Sequence, residues 1–309
     1  MSENMTREEA SGGFNKRLLV TGGAGFIASH MIISLVENYP DYRIINLDKL
    51  EYCASLKNLE AIADRPNYKF LQGDVCDSHF IKHLFDSENI DIVLHFAAQT
   101  HVDLSFLHSF KFTYVNTYGT HILLNAAHRA GVEKFVYIST DEVYGGSSDE
   151  VIPKFISLLQ HNRKCCIHGS GRQMRHFLYA TDVVEALLAI LRMGENGEIY
   201  NIGTHFEISV SQLARELIQM IKNTESESET DSWMDYVKDR PTNDLRYPMK
   251  SEKMHNLGWR PKVHWKEGIE KTIEWYRSNF HNWKDAKHAL EPFVHESMDE
   301  KEKYGNMKC

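Results

Sequence analysis

The sequence predicts an α/β fold, a doubly wound parallel sheet with a smaller mixed lobe, and three observations predict it. Apolar runs alternate with amphipathic stretches from Lys16 onward; the first run passes straight into a glycine turn that opens a helix; the next run ends on an aspartate, Asp48. Such alternation marks β-α-β units, because parallel strands need a long, usually helical, crossover between them.

In chain order, RLLVTGG reads as a strand, FIASHMIISLVENYP as a helix and RIINLD as a second strand. YKFLQGD, IDIVLHFAA and KFVYIST follow as strands three to five, separated by helices in DSHFIKHLFDSE and near 111–130. These make a Rossmann-type domain over residues 14–150. Beyond Gly145-Gly146 the character changes: a helix in VIPKFISLLQ, a short apolar segment CCIHG, and helices near 181–193, 209–223 and 266–280. This second lobe spans residues 151–292. The acidic, serine-rich run NTESESETDS at 223–232 reads as a solvated loop, and the charged residues 293–309 as a disordered tail.

With 309 residues, 42% of them hydrophobic, the chain can build one large core or two modest ones. Its formal charge of -8, without a basic block, argues against nucleic acid as a partner. No run reaches the roughly eighteen apolar residues of a membrane span. The polar first thirteen residues lack the apolar centre of a signal peptide, so a cytoplasmic address is expected. The cysteines, Cys53, Cys76, Cys165, Cys166 and Cys309, show no Cys-x-x-Cys spacing, which argues against disulfides and structural zinc. His-Glu-x-x-His does not occur, and no metal site is expected.

The first strand runs into Gly22-Gly23-Ala24-Gly25-Phe26-Ile27-Ala28, a G-x-x-G-x-x-A phosphate-binding turn. Gly22 permits the tight turn, Gly25 removes a Cβ where a pyrophosphate approaches, and Ala28 keeps the helix close to the strand. The helix N-terminus, with Phe26 and Ile27 in its first turn, meets the phosphate charge. Asp48 ends the second strand, where a carboxylate accepts both ribose hydroxyls and repels a 2′-phosphate, favouring NAD over NADP. Lys49 beside it weakens that discrimination, and a purely turn-capping Asp48 is the alternative. Asp74, with Val75, closes the third strand toward the adenine edge. His95, Phe96, Ala97 and Ala98 close the fourth, where small residues let a cofactor lie against the backbone.

The segments TGGAGFIASH, NLDKL, GDVCD, LHFAAQTHVDLS, YVNTYGT and STDEVYG resemble the nucleotide-sugar branch of the extended short-chain dehydrogenases, and within it the dTDP-glucose 4,6-dehydratases. The resemblance covers roughly residues 14–292, and Thr140-Asp141-Glu142 is its most diagnostic element. It implies NAD as cofactor, a nucleotide-linked hexose as substrate and a homodimer. It implies that Thr140 bonds the sugar C4 oxygen, that Glu142 takes the C5 proton and that Asp141 protonates the departing hydroxyl. Two adjacent carboxylates disfavour joint ionisation, which leaves Asp141 able to donate. The competing reading of Ser139-x-x-Glu142 is a capping box, but Val-Tyr-Gly-Gly is a poor first helical turn. Arg175 resembles the arginine that clamps the substrate diphosphate. Arg240 and Tyr247 resemble further substrate contacts, and Phe206 stands where the family often has asparagine.

One expected element is absent. Family members carry Tyr-x-x-x-Lys on the helix after the fifth strand, the tyrosine taking the sugar hydroxyl proton. Here Tyr144 has Ser148 four residues on, and only Tyr304 with Lys308 shows the spacing, in the tail. One helix and one strand, a unit of roughly thirty residues or more, are expected to be missing after residue 150. The chain is therefore expected to be inactive or impaired as a dehydratase. The alternatives are a catalytically silent NAD or nucleotide-sugar binder and, against the acidic pair, an epimerase. The family's pairing is expected to be weakened, with Val115, Ile122, Leu123, Ala126 and Ala127 of the helix near 111–130 offering apolar surface.

Overall fold

The computed structural model describes residues 13–51, 53–100, 105, 107–140, 151–238 and 249–279. Its centre is a five-stranded parallel sheet, β1 Lys16–Thr21, β2 Tyr42–Asp48, β3 Tyr68–Gln72, β4 Ile92–His95 and β5 Lys134–Tyr137. The order β3-β2-β1-β4-β5 reverses direction between β1 and β4. That reversal is the switch point at which open α/β sheets bind ligands. The predicted sheet is thus present, but the third, fourth and fifth strands are shorter than expected, ending at Gln72, His95 and Tyr137, so that 73–74, 96–98 and 138–140 continue as irregular chain.

Helices cover both faces. On one, α1 (Phe26–Asn38) packs Ala28, Met31, Ile32 and Leu35 against Leu18, Val20 and Ile44 of the sheet. On the other, α2 (Ser78–Glu88) and the helix after β4 bury Ile81, Leu84, Leu123 and Ala127 against Leu19, Ile45 and Val93. α2 starts where Asp77 accepts hydrogen bonds from the His79 and Phe80 N–H groups, both at 3.0 Å. These acceptors satisfy donors that the helix itself cannot.

The helix after β4, α3, consists of Ser109–Thr113, a π-helical turn Tyr114–Gly119 and Thr120–Ala130. Its facing corrects an expectation. Leu123 and Ala127 are core residues, and Val115, Ile122 and Ala126 pack against the same core. The apolar side chains that α3 exposes are Phe110, Tyr114, Tyr118 and Leu124. Helical phase decides this, since residues three and four apart share a face and the inward face belongs to the sheet.

The second lobe has its own core, built from α4 (Val151–Gln160), β6 (Cys165–His168), α6 (Val210–Lys222), β9 (Met234–Val237) and α9 (Trp265–Asn279). β6 pairs with β9, while β7 (Met174–His176) pairs antiparallel with β8 (Glu207–Ser209). Between them, α5 (Ala180–Met193) returns to α1, and Met254 of α8 (Glu252–Asn256) and Trp259 join that first core. The helices expected near 181–193, 209–223 and 266–280 are these α5, α6 and α9. The run at 223–232 is not a loop throughout: Glu227–Ser232 forms a short helix, α7. Ser226 caps it, and its Thr230 is fully buried, which draws an otherwise solvated sequence onto the lobe. No helix of the described residues is long and apolar enough to cross a membrane. The tail at 293–309 lies outside the described residues.

Candidate cofactor and active site

The predicted cofactor residues gather at the carboxyl ends of β1 to β4. Gly22 has φ +70°, and a Cβ there would stand 2.8 Å from the Ala97 backbone, so both its torsion and its neighbour require glycine. Gly23, which the spacing argument passes over, is also closely packed, because a Cβ would collide with the Asn46 and Ile32 side chains. The doublet directly after the strand was the available signal. Gly25 differs: a Cβ there would approach only the Gly22 carbonyl, at 3.1 Å. As the N-cap of α1 it offers no side-chain hydrogen bond, and the first turn holds no acidic residue. Phe26 is exposed, Ile27 half-buried, and Ala28 is packed in the core.

Asp48 is buried, and both of its oxygens are used. Oδ2 accepts the Ala24 N–H at 3.0 Å, tying β2 to the glycine turn, and Oδ1 accepts the Leu50 N–H at 2.7 Å. Leu50 takes the left-handed conformation that follows. Lys49 pairs with Asp74 at 2.8 Å and with Glu51 at 3.4 Å. The Asp74 hydrogen bond raises the Lys49 ammonium pKa above its usual value. Burial would raise the Asp74 carboxyl, but the bonds from Lys49 and the Cys76 N–H hold it below its usual range. Val75 is buried where Gly119 of the π-helical turn comes close.

Behind the turn lies a buried chain of hydrogen bonds that sequence reasoning did not assemble. The Thr120 hydroxyl donates to the Asn116 carbonyl at 2.7 Å, so its oxygen accepts from His95 Nε2–H at 2.8 Å. His95 Nδ1 is then an acceptor, taking the Thr21 hydroxyl at 2.7 Å, and Thr21 Oγ1 accepts the Ala97 N–H at 3.2 Å. Burial pushes the His95 pKa down to about 4, keeping the ring neutral. Phe96, Ala97 and Ala98 are half-buried, with Ala97 held by this chain against Gly22.

Thr140 is exposed beyond β5, at the same sheet edge as the turn. Asp141, Glu142, Arg240 and Tyr247 lie outside the described residues, as do Tyr304 and Lys308. Arg175 is buried in β7 of the second lobe, with its Nη1 donating to the Met174 carbonyl at 2.9 Å. Phe206 stacks on Trp265 at 4.8 Å, a packing role that an asparagine would not fill.

Comparison with known proteins agrees with this geometry. The family model described as GDP-mannose 4,6 dehydratase matches residues 19–153 and 147–272. The dTDP-D-glucose 4,6-dehydratase of Homo sapiens is 65% identical over 335 aligned residues, covering 91% of this chain and 96% of the human protein. A solved structure of dTDP-glucose 4,6-dehydratase from Streptomyces venezuelae with NAD bound has TM-score 0.80 and 30% identity, covering 87% and 99% of the two chains. The Bacillus anthracis enzyme in complex with NAD gives TM-score 0.77 at 27% identity, covering 88% and 100%. By the extent of these matches, the chain belongs to the GDP-mannose 4,6 dehydratase family, with its likeness to the dTDP-D-glucose 4,6-dehydratases.

Proposed function

We propose that this chain carries the site of an NAD-dependent dTDP-glucose 4,6-dehydratase, forming dTDP-4-keto-6-deoxyglucose in complete family members, in a form whose own turnover is lost or severely impaired. Residues 14–150 take the cofactor and 151–292 the nucleotide-linked hexose. The observation that carries the reading is the start of α1, a glycine turn with no side-chain cap. The first N–H groups of a helix have no acceptor within it and sit at the positive end of its dipole, so they fit a diphosphate.

In this reading Gly22, Gly25, Phe26, Ile27 and Ala28 hold the pyrophosphate. Asp48 keeps lone pairs for the ribose hydroxyls beyond its two backbone bonds. Lys49, Asp74, Val75, Phe96, Ala97 and Ala98 flank the adenosine. Because Lys49 is committed to Asp74 and Glu51, the field around the ribose is set by carboxylates and favours NAD over NADP. NAD, when bound, supplies an acceptor and later a donor of hydride. Thr140 bonds the sugar C4 oxygen, Glu142 removes the C5 proton and Asp141 protonates the departing hydroxyl. Arg175, Arg240 and Tyr247 hold the substrate's nucleotide end.

The helix-borne Tyr-x-x-x-Lys pair that takes the C4 hydroxyl proton does not follow the fifth strand in the sequence, where Tyr144 has Ser148 four residues on, and loss of a general base costs a factor of roughly 100 to 10,000. The match to the human protein spans 335 aligned positions, more than the 309 residues of this chain. The family model aligns in two pieces that overlap at 147–153. Both observations support a missing internal segment there. A second reading follows from it: an NAD-binding or nucleotide-sugar-binding partner without turnover. The acidic pair beside Thr140 speaks against an epimerase.

Homodimer pairing through α3, weakened by the missing helix, belongs to the same proposal, as does a cytoplasmic address. Phe110, Tyr114, Tyr118 and Leu124 supply exposed apolar surface for that pairing. The deciding experiment is mass spectrometry of products from dTDP-glucose, using this chain beside one with the segment restored. Product is expected from the restored chain alone. Turnover by this chain within about tenfold of a complete enzyme would overturn the impairment, since a lost base costs at least that much.

A further inference from the structure

Glu51 makes contacts that the glycine-turn site does not require. β1 lies between β2 and β4, and neighbouring strands are about 4.8 Å apart, so the ends of β2 and β4 stand roughly 10 Å from each other. Glu51 follows the end of β2, yet it meets groups beyond β4. Its Oε2 accepts from Gln99 Nε2 at 2.9 Å and from the Lys111 ammonium of α3 at 2.7 Å. The side chain therefore spans the end of β1, at the edge where the glycine turn and the uncapped start of α1 open.

Both sides of this bridge are anchored. On the β2 side Lys49 joins Glu51 to Asp74. On the β4 side the Gln99 N–H donates to Asn116 Oδ1 at 2.7 Å, and Asn116 Nδ2 donates to the Gln99 carbonyl at 2.9 Å. Asn116 sits in the π-helical turn, an irregularity that frequently marks functional sites. Lys111 is largely exposed and Glu51 partly so, and a pair of this kind contributes modestly to folding, so its position across the end of β1 calls for a role beyond stability.

We propose that Glu51, with Lys111 and Gln99, is a clasp across the adenosine half of the dinucleotide site that opens for the cofactor to enter and leave and adds a third carboxylate, beside Asp48 and Asp74, against the extra phosphate of NADP. Glu51 is here a positioning residue, and the inference rests on the NAD reading above. An opening clasp slows dissociation more than it changes the fold, so a rate separates the two roles.

The test is stopped-flow displacement of NADH by excess NAD, followed by nicotinamide fluorescence, on the full chain. Glu51→Gln and Lys111→Met are each expected to speed dissociation about fivefold, and the double variant no more than either, because both remove one contact. Glu51→Gln is also expected to narrow the preference for NAD over NADP in Kd, and the melting temperatures to stay unchanged. Dissociation within about twofold of the parent in both single variants, or additive effects in the double, would overturn the clasp alone. An unsubstituted chain that binds no NADH would overturn the cofactor reading, and the clasp with it.

Discussion

His95 makes the stability of this protein depend on pH in a predictable window. Its Nε2–H donates to Thr120 and its Nδ1 accepts from Thr21, an arrangement only the neutral ring can make. Burial lowers its pKa from 6.5 to about 4. The unfolded chain takes up a proton below pH 6.5 and the folded chain does not. The contribution of His95 is therefore present in full above pH 6.5 and is lost as the pH falls toward 4. At about 1.4 kcal/mol per pH unit, the loss is about 2 kcal/mol at pH 5 and about 3 kcal/mol at pH 4. His30, whose pKa burial also lowers, adds to the loss below pH 6.5. Urea unfolding followed by tryptophan fluorescence between pH 7.5 and 5 measures it. His95→Gln keeps one donor and one acceptor but cannot titrate, so it is expected to be less stable at pH 7.5 and flatter toward pH 5. Parallel pH dependences in parent and variant would refute the neutral-ring network.

Four further outcomes are expected. Gly25→Val should abolish NAD binding in calorimetry while lowering the melting temperature less than Gly22→Ala does, because Gly25 has an ordinary φ of -76° and its Cβ meets one backbone atom, the Gly22 carbonyl oxygen, at 3.1 Å. Gly22→Ala should instead destabilise the fold by about 3 kcal/mol, from the left-handed torsion and the backbone contact at Ala97, as chemical denaturation would report. Asp182→Ala should cost about 3 kcal/mol in the same measurement, since Oδ2 of this buried carboxylate accepts the N–H groups of Lys262 and Val263, which would be left unpaired. Tyr118→Lys should reduce self-association in sedimentation velocity, if the exposed stack of Phe110, Tyr114 and Tyr118 is the pairing surface.

The strands and helices around the sheet were legible because their signals are local. A glycine turn between an apolar run and an amphipathic helix, an aspartate closing the next strand, and the alternation through β5 each lie within a few consecutive residues. Ser-rich acidity at 223–232 was also local, but it pointed to a loop, and burial of Thr230 overrode it. The five apolar residues assigned outward on α3 failed for a related reason: a periodic pattern shows that a helix has an apolar face, while the sheet beneath decides where that face points.

What the sequence by itself determined is the sheet, the glycine turn through Gly22 and Gly25 with Asp48 at the end of the next strand, and the family likeness. Tertiary structure alone decided that Asp48 holds Ala24 and Leu50, that Lys49 is committed to Asp74, and that His95 joins Thr21 to Thr120. It alone joined Glu51 to Gln99, 48 residues away, and to Lys111, 60 residues away. The physical reason is that such partners meet only once β1 is inserted between β2 and β4. Strand order is a property of the packed sheet, and no spacing along the chain encodes which side chains it brings within hydrogen-bond reach.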